Sequence, residues 1–476
     1  MPLYALNPAN IKKELLSLCN SKKGLLIPDR QTISYYANGG DFLWTDRYGI
    51  NPSSDTLLAH IKTVEAMGFA IEAFHCESIE NDMKRVRTLD FDDDENTGDK
   101  VLARLEYHLT NAYLRYSTGQ RFGFTNPSYL FNRLDTLDNP SKTFIGYRRL
   151  FDIKTERPDD AFFAGALRQI NNDSIGHFLR QIQPHDSMYY RLQKELQKDL
   201  SADYHKKVLC NMERCRWREV GKPQTNGKHI VVNIPAYHLY AHNGDSVLDM
   251  RIACGARKSK TPLLTSHIER MEVNPIWSIP QSIIRKEVSA HAGDTSYFAR
   301  HRYYIVKRES GEQTATSNVT AAMLQSGEYG VRQEGGAGNS LGRIIFRFAN
   351  NFSVFLHDTS SPGVFSHTSR SVSHGCVRVQ KPFDLAVFLL SNHDEWLLDR
   401  LRISMDIPPV TDRGKKYIKN EENNRKLVKV LQVNPHVPLF ITYHTIFPNE
   451  HGRLTAYPDV YGYDEVIYQS IKPFLN

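Results

Sequence analysis

A histidine and a cysteine in the last third of the chain are the residues best suited to covalent chemistry. His357 precedes the run Ser373-His374-Gly375-Cys376. A thiol attacks a carbonyl as its thiolate, and a nearby imidazole can take the proton, so the pattern predicts Cys376 as nucleophile and His357 as general acid and base. Gly375 permits a tight turn beside Cys376, where backbone N–H groups can hold the oxygen of a carbonyl under attack. The predicted chemistry is acyl transfer.

The motif resembles that of the L,D-transpeptidase family, whose YkuD-type catalytic domain carries a spaced histidine followed by Ser/Thr-His-Gly-Cys. Fifteen residues separate His357 from Ser373, and Val377 and Arg378 fill the hydrophobic and polar positions after the cysteine. The segments 233–287 and 438–463 are similar to the start and the end of the catalytic domain in the large, multidomain members. The resemblance therefore extends well beyond the motif.

The resemblance implies a peptidoglycan L,D-transpeptidase acting on stem peptides. Cys376 would attack the carbonyl between the third and fourth residues of a stem tetrapeptide, form a thioester and release D-alanine. An amine of a second stem would then attack the thioester and leave a 3→3 cross-link. With water as acceptor the enzyme is an L,D-carboxypeptidase, and with a lipoprotein lysine it is an anchoring enzyme. A non-catalytic wall-binding protein is less favoured, because both His357 and Cys376 are retained.

Neighbouring residues are assigned supporting roles. We expect His374 to shape the turn, and either the backbone carbonyl or the side chain of Asp358 to orient His357. His357, His367, His374 and Cys376 could together bind zinc, but they lack the closely spaced ligand pairs of zinc sites. The sequence therefore predicts neither a metal nor a cofactor.

Four residues are candidates for binding the substrate. Arg378 either orients a carboxylate of the stem or pairs with a local acid, and the sequence leaves both open. The aromatic candidates have burial in a core as their alternative. The four are Ser373, Arg378, Trp277 and Tyr329.

Length and composition predict two or three domains without a membrane span. The chain has 476 residues, 40% of them hydrophobic, and a formal net charge of +7. Its basic residues are scattered among acids, which argues against nucleic acid and mildly favours an anionic partner such as cell-wall polymer. The N-terminus lacks the order of a signal peptide. Because the implied substrate lies in the periplasm or cell envelope, we expect an export signal or lipid anchor upstream of this sequence.

The six cysteines are too few for a disulfide scaffold in a chain of this size. Cys376 must stay reduced to react. Cys210 and Cys215 lie five positions apart on a predicted helix, where their side chains face different directions. Free thiols, most of them buried, are therefore expected.

The predicted fold class is α+β, with a mainly helical scaffold domain over 1–220. Helical apolar spacing appears at Leu57, Ile61 and Val64, with Gly68 placed to end the helix. A second stripe runs through Val101, Leu105, Leu109, Ala112 and Tyr116, and Asp186 and Ser201 are placed to cap two more helices. The short connection before residue 211 leaves no room for a separate peptidoglycan-binding module. Wall contacts then fall to the catalytic groove, the scaffold, or a partner protein of cell-wall synthesis.

The second domain, over 228–476, is predicted to be the mainly β catalytic domain. Strands are expected over 229–234, 237–242 and 246–253, with a hairpin at Asn243-Gly244. Further strands are expected over 343–348 and 351–356, which puts His357 at a strand end. The polar segment 285–329 interrupts the strands, and the resemblance implies an insertion that caps the active site. A plain surface loop is its alternative.

Overall fold

The computed structural model describes residues 6–21, 26–92, 94–137, 146–172 and 174–475. The chain forms two compact units. The first comprises Met1–Arg149, Ile153–Gly221 and Thr445–Asn476, and the second comprises Leu150–Asp152 and Lys222–His444. Helices dominate the first unit and strands the second, which confirms the predicted α+β class.

The α-helices of the described residues follow one another as α1 (Pro8–Ser21), α2 (Ile27–Ala37), α3 (Ser53–Lys62), α4 (Cys76–Thr88), α5 (Gly98–Phe122), α6 (Pro127–Phe131), α7 (Asp160–Asn171), α8 (Ile175–Gln181), α9 (Ser187–Glu195), α10 (Ala202–Arg216), α11 (Gln281–Ile283), α12 (Thr295–Arg300), α13 (Ala321–Ser326), α14 (Pro382–Leu389), α15 (Glu395–Ser404), α16 (Asp412–Lys419) and α17 (Tyr463–Ile471). Among the described ranges, no helix combines the length and the apolar character that crossing a membrane requires.

The strands are β1 (Thr45–Asp46), β2 (Gly49–Ile50), β3 (Phe151–Asp152), β4 (His229–Asn233), β5 (His238–Asn243), β6 (Ser246–Gly255), β7 (Leu263–Val273), β8 (Trp277–Ser278), β9 (Tyr303–Lys307), β10 (Gln313–Thr314), β11 (Tyr329–Gln333), β12 (Ile344–Phe348), β13 (Leu356–His357), β14 (Ser371–Ser373), β15 (Val377–Val379), β16 (Val430–Thr442), β17 (Ile446–Pro448) and β18 (Leu454–Ala456).

The long helix α5 forms the centre of the first unit. Its predicted apolar stripe is buried along its whole length. The segment after α3 ends at Gly68, which adopts the left-handed conformation that favours glycine. Asp186 and Ser201 accept hydrogen bonds from the first turns of α9 and α10, as their positions predict. The helical part of the sequence analysis is therefore confirmed at its caps as well as its faces.

The C-terminal segment belongs to the first unit. Helix α17 packs against α10, and Asp464 lies 2.7 Å from the buried guanidinium of Arg214. Thr445 donates to the same carboxylate at 2.6 Å. The compact β unit therefore ends at His444, whereas the predicted catalytic domain continued to residue 476.

The strands of the second unit close into a ring. The order is β12-β13-β15-β6-β5-β4-β16-β7, and β7 also pairs with β12. The β5–β6 hairpin turns at the predicted Asn243-Gly244 step, where Gly244 has a φ of 60°. Closure leaves no free edge within this ring and holds β13 and β15 side by side.

The expected strand over 351–356 is wrong for most of its length, because β13 contains only Leu356 and His357. The side chain of Asn350 explains the loop that replaces it. Its Oδ1 accepts from the backbone N–H groups of Phe352 and Val354, and its Nδ2 donates to the carbonyls of Phe348 and Val354. An asparagine that bonds its own neighbouring backbone competes with strand pairing.

The insertion is a folded element larger than the predicted segment 285–329. Strands β8 to β11 form a separate four-stranded sheet, with α11, α12 and α13 in the same stretch of chain. Apolar side chains including Ile284, Phe298, Ile305 and Leu324 form its own core. A plain surface loop would have no such core, so that alternative is wrong.

Candidate active site

Strands β13 and β15 bring the candidate nucleophile and base together. They run parallel, with Leu356 opposite Val377 and His357 opposite Arg378. Cys376 immediately precedes β15, and side chains alternate along a strand, so Cys376, Arg378 and His357 project to one face. The imidazole and the thiol therefore lie on one face of two adjacent strands, although they are 19 residues apart in sequence.

His357 is buried and held by backbone. Its Nδ1 donates to the carbonyl of Asp358. The carboxylate of Asp358 instead accepts from the backbone N–H of Arg343 at 2.8 Å, so the carbonyl orients the imidazole. Burial, aided by the positive charge of Arg378, lowers the pKa of His357 to about 4, and backbone hydrogen bonding offsets only part of that. The imidazole is thus neutral at pH 7 and able to accept a proton.

Cys376 is partly exposed at the surface, but its thiol is poorly solvated. Burial raises the pKa of Cys376 to about 11, against the lowering effects of the Phe355 backbone and of two arginines, Arg378 and Arg347. Within the described part of the chain, no hydrogen bond joins Cys376 to His357. Both pKa shifts favour the uncharged forms of the resting site, a thiol on Cys376 and a neutral imidazole on His357.

The turn before Cys376 is held in a conformation that requires glycine. Gly375 has a φ of 126°, in the region that residues with a side chain rarely adopt. The hydroxyl of buried Ser373 accepts from the Gly375 N–H at 3.1 Å and donates to the Cys376 carbonyl at 2.6 Å. Ser373, a predicted substrate contact, is therefore occupied in shaping the turn. The Gly375 amide is thus engaged, whereas no acceptor for the Cys376 amide lies among the described residues.

His374 lies on the exposed side of the turn, as a turn-shaping residue can. Its Nε2 lies 2.8 Å from Oε1 of Glu287, which belongs to the insertion. The insertion thus contacts the turn that carries Cys376. The sequence analysis did not single out Glu287, and no local pattern marks it.

Two arginines place positive charge beside the thiol. Arg378 is partly buried, and no carboxylate among the described residues pairs with it. Arg347 on β12 bonds Glu272 at 2.8 Å and lies over the Phe355 ring. Arg347 was not among the predicted site residues, although a lone arginine in the apolar strand Ile-Ile-Phe-Arg-Phe is a signal that could have indicated it.

The two aromatic candidates lie in the insertion. Trp277 is on β8 and Tyr329 on β11, and both are partly buried against the insertion core. The structure gives neither a contact with His357 or Cys376 among the described residues. Their position is that of the alternative given for them, in which each aromatic ring packs against a core.

The six cysteines are free thiols, as expected, and Cys215 and Cys376 are the partly exposed ones. In the ranges that the structure describes, no three His, Cys, Asp or Glu side chains gather as metal ligands.

Comparison with known proteins finds two family matches, one in each of two separate ranges of the chain. Residues 227–405 match the L,D-transpeptidase catalytic domain, and this range contains both His357 and Cys376. Residues 227–405 are an L,D-transpeptidase catalytic domain. Residues 31–196 match the scaffold domain.

A protein of Haemophilus influenzae named "Putative L,D-transpeptidase" is 27% identical over 335 residues. The alignment covers 68% of this chain and 63% of that protein, so the chain spans less than two thirds of its relative's length. The L,D-transpeptidase domain lies wholly within the second compact unit, which runs from Lys222 to His444 apart from one short strand.

Proposed function

We propose that the protein is a peptidoglycan L,D-transpeptidase that forms 3→3 cross-links through a thioester on Cys376. The observation that carries the proposal is the register of β13 and β15, which sets the imidazole and the thiol on one face within an L,D-transpeptidase catalytic domain. A buried neutral imidazole beside a thiol is the arrangement that general-base activation of a nucleophile requires.

Acylation begins with proton transfer from the thiol to His357. The sulfur of Cys376 then bonds the carbonyl carbon between the third and fourth stem residues, and the Cys376 N–H holds the oxyanion. The C–N bond breaks as His357 returns the proton to the departing amine of D-alanine. In the second half, His357 takes a proton from the acceptor amine, whose nitrogen bonds the acyl carbon. The C–S bond then breaks, and His357 returns the proton to the departing sulfur of Cys376.

Arg378 supplies the charge that a stem peptide needs at this site. A partly buried guanidinium without a carboxylate partner among the described residues favours the substrate-binding role over the local ion pair. We propose that it binds a carboxylate of the donor stem.

Substitution tests this role of Arg378. In Arg378→Gln, acylation by a tetrapeptide with a free terminal carboxylate should slow by about 10 to 100-fold, the value of a hydrogen bond to a charged group. With the same peptide carrying an amidated terminus, the substitution should reduce the acylation rate much less. Arg168→Gln, on an exposed helix face, is the matched control. Equal losses for acid and amide peptides would contradict carboxylate binding.

The proposed substrate places the protein in the periplasm or cell envelope, where peptidoglycan is found. Stem peptides are its proposed partners, and the scaffold domain is the proposed docking part for other proteins of cell-wall synthesis.

Intact-mass analysis with a disaccharide-tetrapeptide tests the function. Parent protein should gain the mass of the stem minus D-alanine, and then release that mass into a 3→3 dimer. Cys376→Ala should gain nothing, while Cys215→Ala, which removes the other partly exposed thiol, should behave like the parent. An adduct released only as tripeptide would identify a carboxypeptidase instead. A folded parent protein without any adduct would refute the proposal.

A further inference from the structure

A tight loop, residues 255–261, packs against the turn that carries Cys376. The Ala256 N–H and the Ser259 hydroxyl both donate to the Ser373 carbonyl at 2.8 Å. At the start of the loop, a side chain on Gly255 would come within 2.2 Å of the Ser259 carbonyl oxygen. Backbone cannot yield to such a contact cheaply, so this loop shape requires glycine.

Thr261 connects the two ends of the loop to the turn. Its buried hydroxyl accepts from the Gly255 N–H at 2.9 Å and donates to the Gly375 carbonyl at 2.8 Å. Thr261 is 114 residues from Gly375 in sequence, so the contact depends on the fold.

The bond from Thr261 fixes the direction of one peptide plane. The peptide between Gly375 and Cys376 is trans, so its carbonyl and its N–H point in opposite directions. With the carbonyl held toward Thr261, the Cys376 N–H points away from the loop. No acceptor for this N–H lies among the described residues, although nearly all such groups in proteins are paired with protein, water or ligand.

We infer that Thr261 is a positioning residue: its hydroxyl aims the Cys376 N–H at the oxyanion formed during acyl transfer. Free rotation of the peptide is the alternative that the hydroxyl prevents, because Gly375 alone imposes little restriction on its own backbone. The inference rests on the proposed function only in taking a stem peptide as the natural acyl donor. The role of Thr261 itself can be tested with a simpler acyl donor.

Two small reagents distinguish the orientation of the Cys376 N–H from the intrinsic reactivity of the Cys376 thiol. With p-nitrophenyl acetate, the sulfur of Cys376 bonds the acetyl carbon through a tetrahedral oxyanion. The C–O bond then breaks, p-nitrophenolate leaves, and the thiol proton passes to the buffer. With iodoacetamide, the sulfur displaces iodide from a methylene carbon and no oxyanion forms. Cys376→Ala gives the background for both.

Four variants of the 476-residue chain are compared with the parent. Thr261→Val, which keeps the shape and removes the hydroxyl, should lose about 10²-fold in acetylation rate, the usual loss for one oxyanion donor, and should alkylate at the parent rate. Thr261→Ser should restore acetylation. Thr442→Val is the matched control, because it removes a hydroxyl that donates to the Val232 carbonyl elsewhere in the same unit. Thr261→Ala serves as a second hydroxyl-free variant if valine lowers the melting temperature.

Several results would overturn the inference. One is a hydroxyl-free variant that acetylates like the parent, and another is a serine variant as slow as the valine one. Equal losses in acetylation and alkylation would assign Thr261 a purely structural role. A parent whose Cys376 alkylates but is never acetylated would also refute the aimed amide. Failure of the tetrapeptide to react, with all ester results as expected, would refute the proposed substrate and leave the role of Thr261 intact.

Discussion

At the level of single residues, burial favours the uncharged forms of the Cys376 thiol and the His357 imidazole. The pKa of Cys376 is raised to about 11 and that of His357 is lowered to about 4, both mainly by burial. Water that would stabilise either charge is largely excluded. Arg378 and Arg347 favour the thiolate, while the same charge on Arg378 opposes a charged imidazole. Proton transfer is therefore expected when a substrate occupies the site, and not before.

Alkylation of Cys376 should report this resting state. Because the thiolate is the reactive form and the pKa of Cys376 is about 11, the iodoacetamide rate should keep rising with pH from 7 to 10. The measurement is alkylation followed by intact mass, with Cys376→Ala as background. A rate that levels off below pH 8 would instead indicate a preformed thiolate–imidazolium pair.

Burial of neutral His357 should make stability depend on pH. Its pKa is about 4 in the folded protein and near 6.5 in the unfolded chain, so the unfolded chain binds a proton first as pH falls. Stability from this group is therefore fully present above pH 6.5 and is lost as pH falls toward 4, by about 3 kcal/mol in total. Comparing the melting temperatures of parent and His357→Gln from pH 7.5 to 4 tests this, since the variant should show the smaller decline. Parallel declines would contradict it.

At the scale of elements, the site depends on short pieces held by others. Strand β13 contains only two residues, yet it presents His357 because β12 and β15 pair with its two sides and the Asn350 loop fixes the chain before it. The turn at Gly375 is likewise held by the loop 255–261 on one side and touches Glu287 of the insertion on the other. Each contact comes from an element distant in sequence.

The insertion should unfold without the ring when its own core is damaged. Phe298 is buried in that core, and Phe298→Ala should cost about 3 to 5 kcal/mol, much of what a small core supplies. Limited proteolysis with mass mapping should then give new cuts within residues 277–333, while the flanking strands stay protected. Glu309→Ala, at an exposed position of the same element, should leave the digestion pattern unchanged. Cleavage spread over the whole second unit would show that the insertion has no separate stability.

At the scale of the whole molecule, the chain crosses between its two units more than once. The L,D-transpeptidase domain is flanked by segments of the helical unit, which contains both Ile153–Gly221 and Thr445–Asn476. Stability of the helical unit therefore depends on residues that follow the catalytic domain in sequence. The buried pair of Arg214 and Asp464 is one of the polar contacts that join these segments, together with the hydrogen bond from Asn211 to Thr445.

Breaking this pair should destabilise the helical unit. Asp464→Ala leaves a buried guanidinium without its carboxylate, which typically costs about 3 to 5 kcal/mol. Urea unfolding should show the loss, and Glu465→Ala, at the exposed neighbouring position, should cost far less. The double variant Arg214→Met, Asp464→Leu should recover much of the stability, because no unpaired charge remains. A single variant as stable as the parent would show that the pair contributes nothing.

Some features of the protein follow from the amino-acid sequence alone. The spacing of His357 and Cys376 predicts a base and a nucleophile, apolar periodicity located the buried stripe of α5, and polar residues marked the caps of α9 and α10. Such signals are local, since caps and periodicity act within a few turns.

The contacts that hold the site became visible only in the folded chain. Closure of the ring and the position of the insertion determine which polar groups contact the site. These groups are the carbonyl of Asp358, the hydroxyl of Thr261 and the carboxylate of Glu287. The same holds for the segment 445–476, which joins the helical unit although it follows the last strand of the ring. Hydrogen bonds between residues distant in sequence produce no local or periodic sequence pattern, because they depend on which segments the fold brings together.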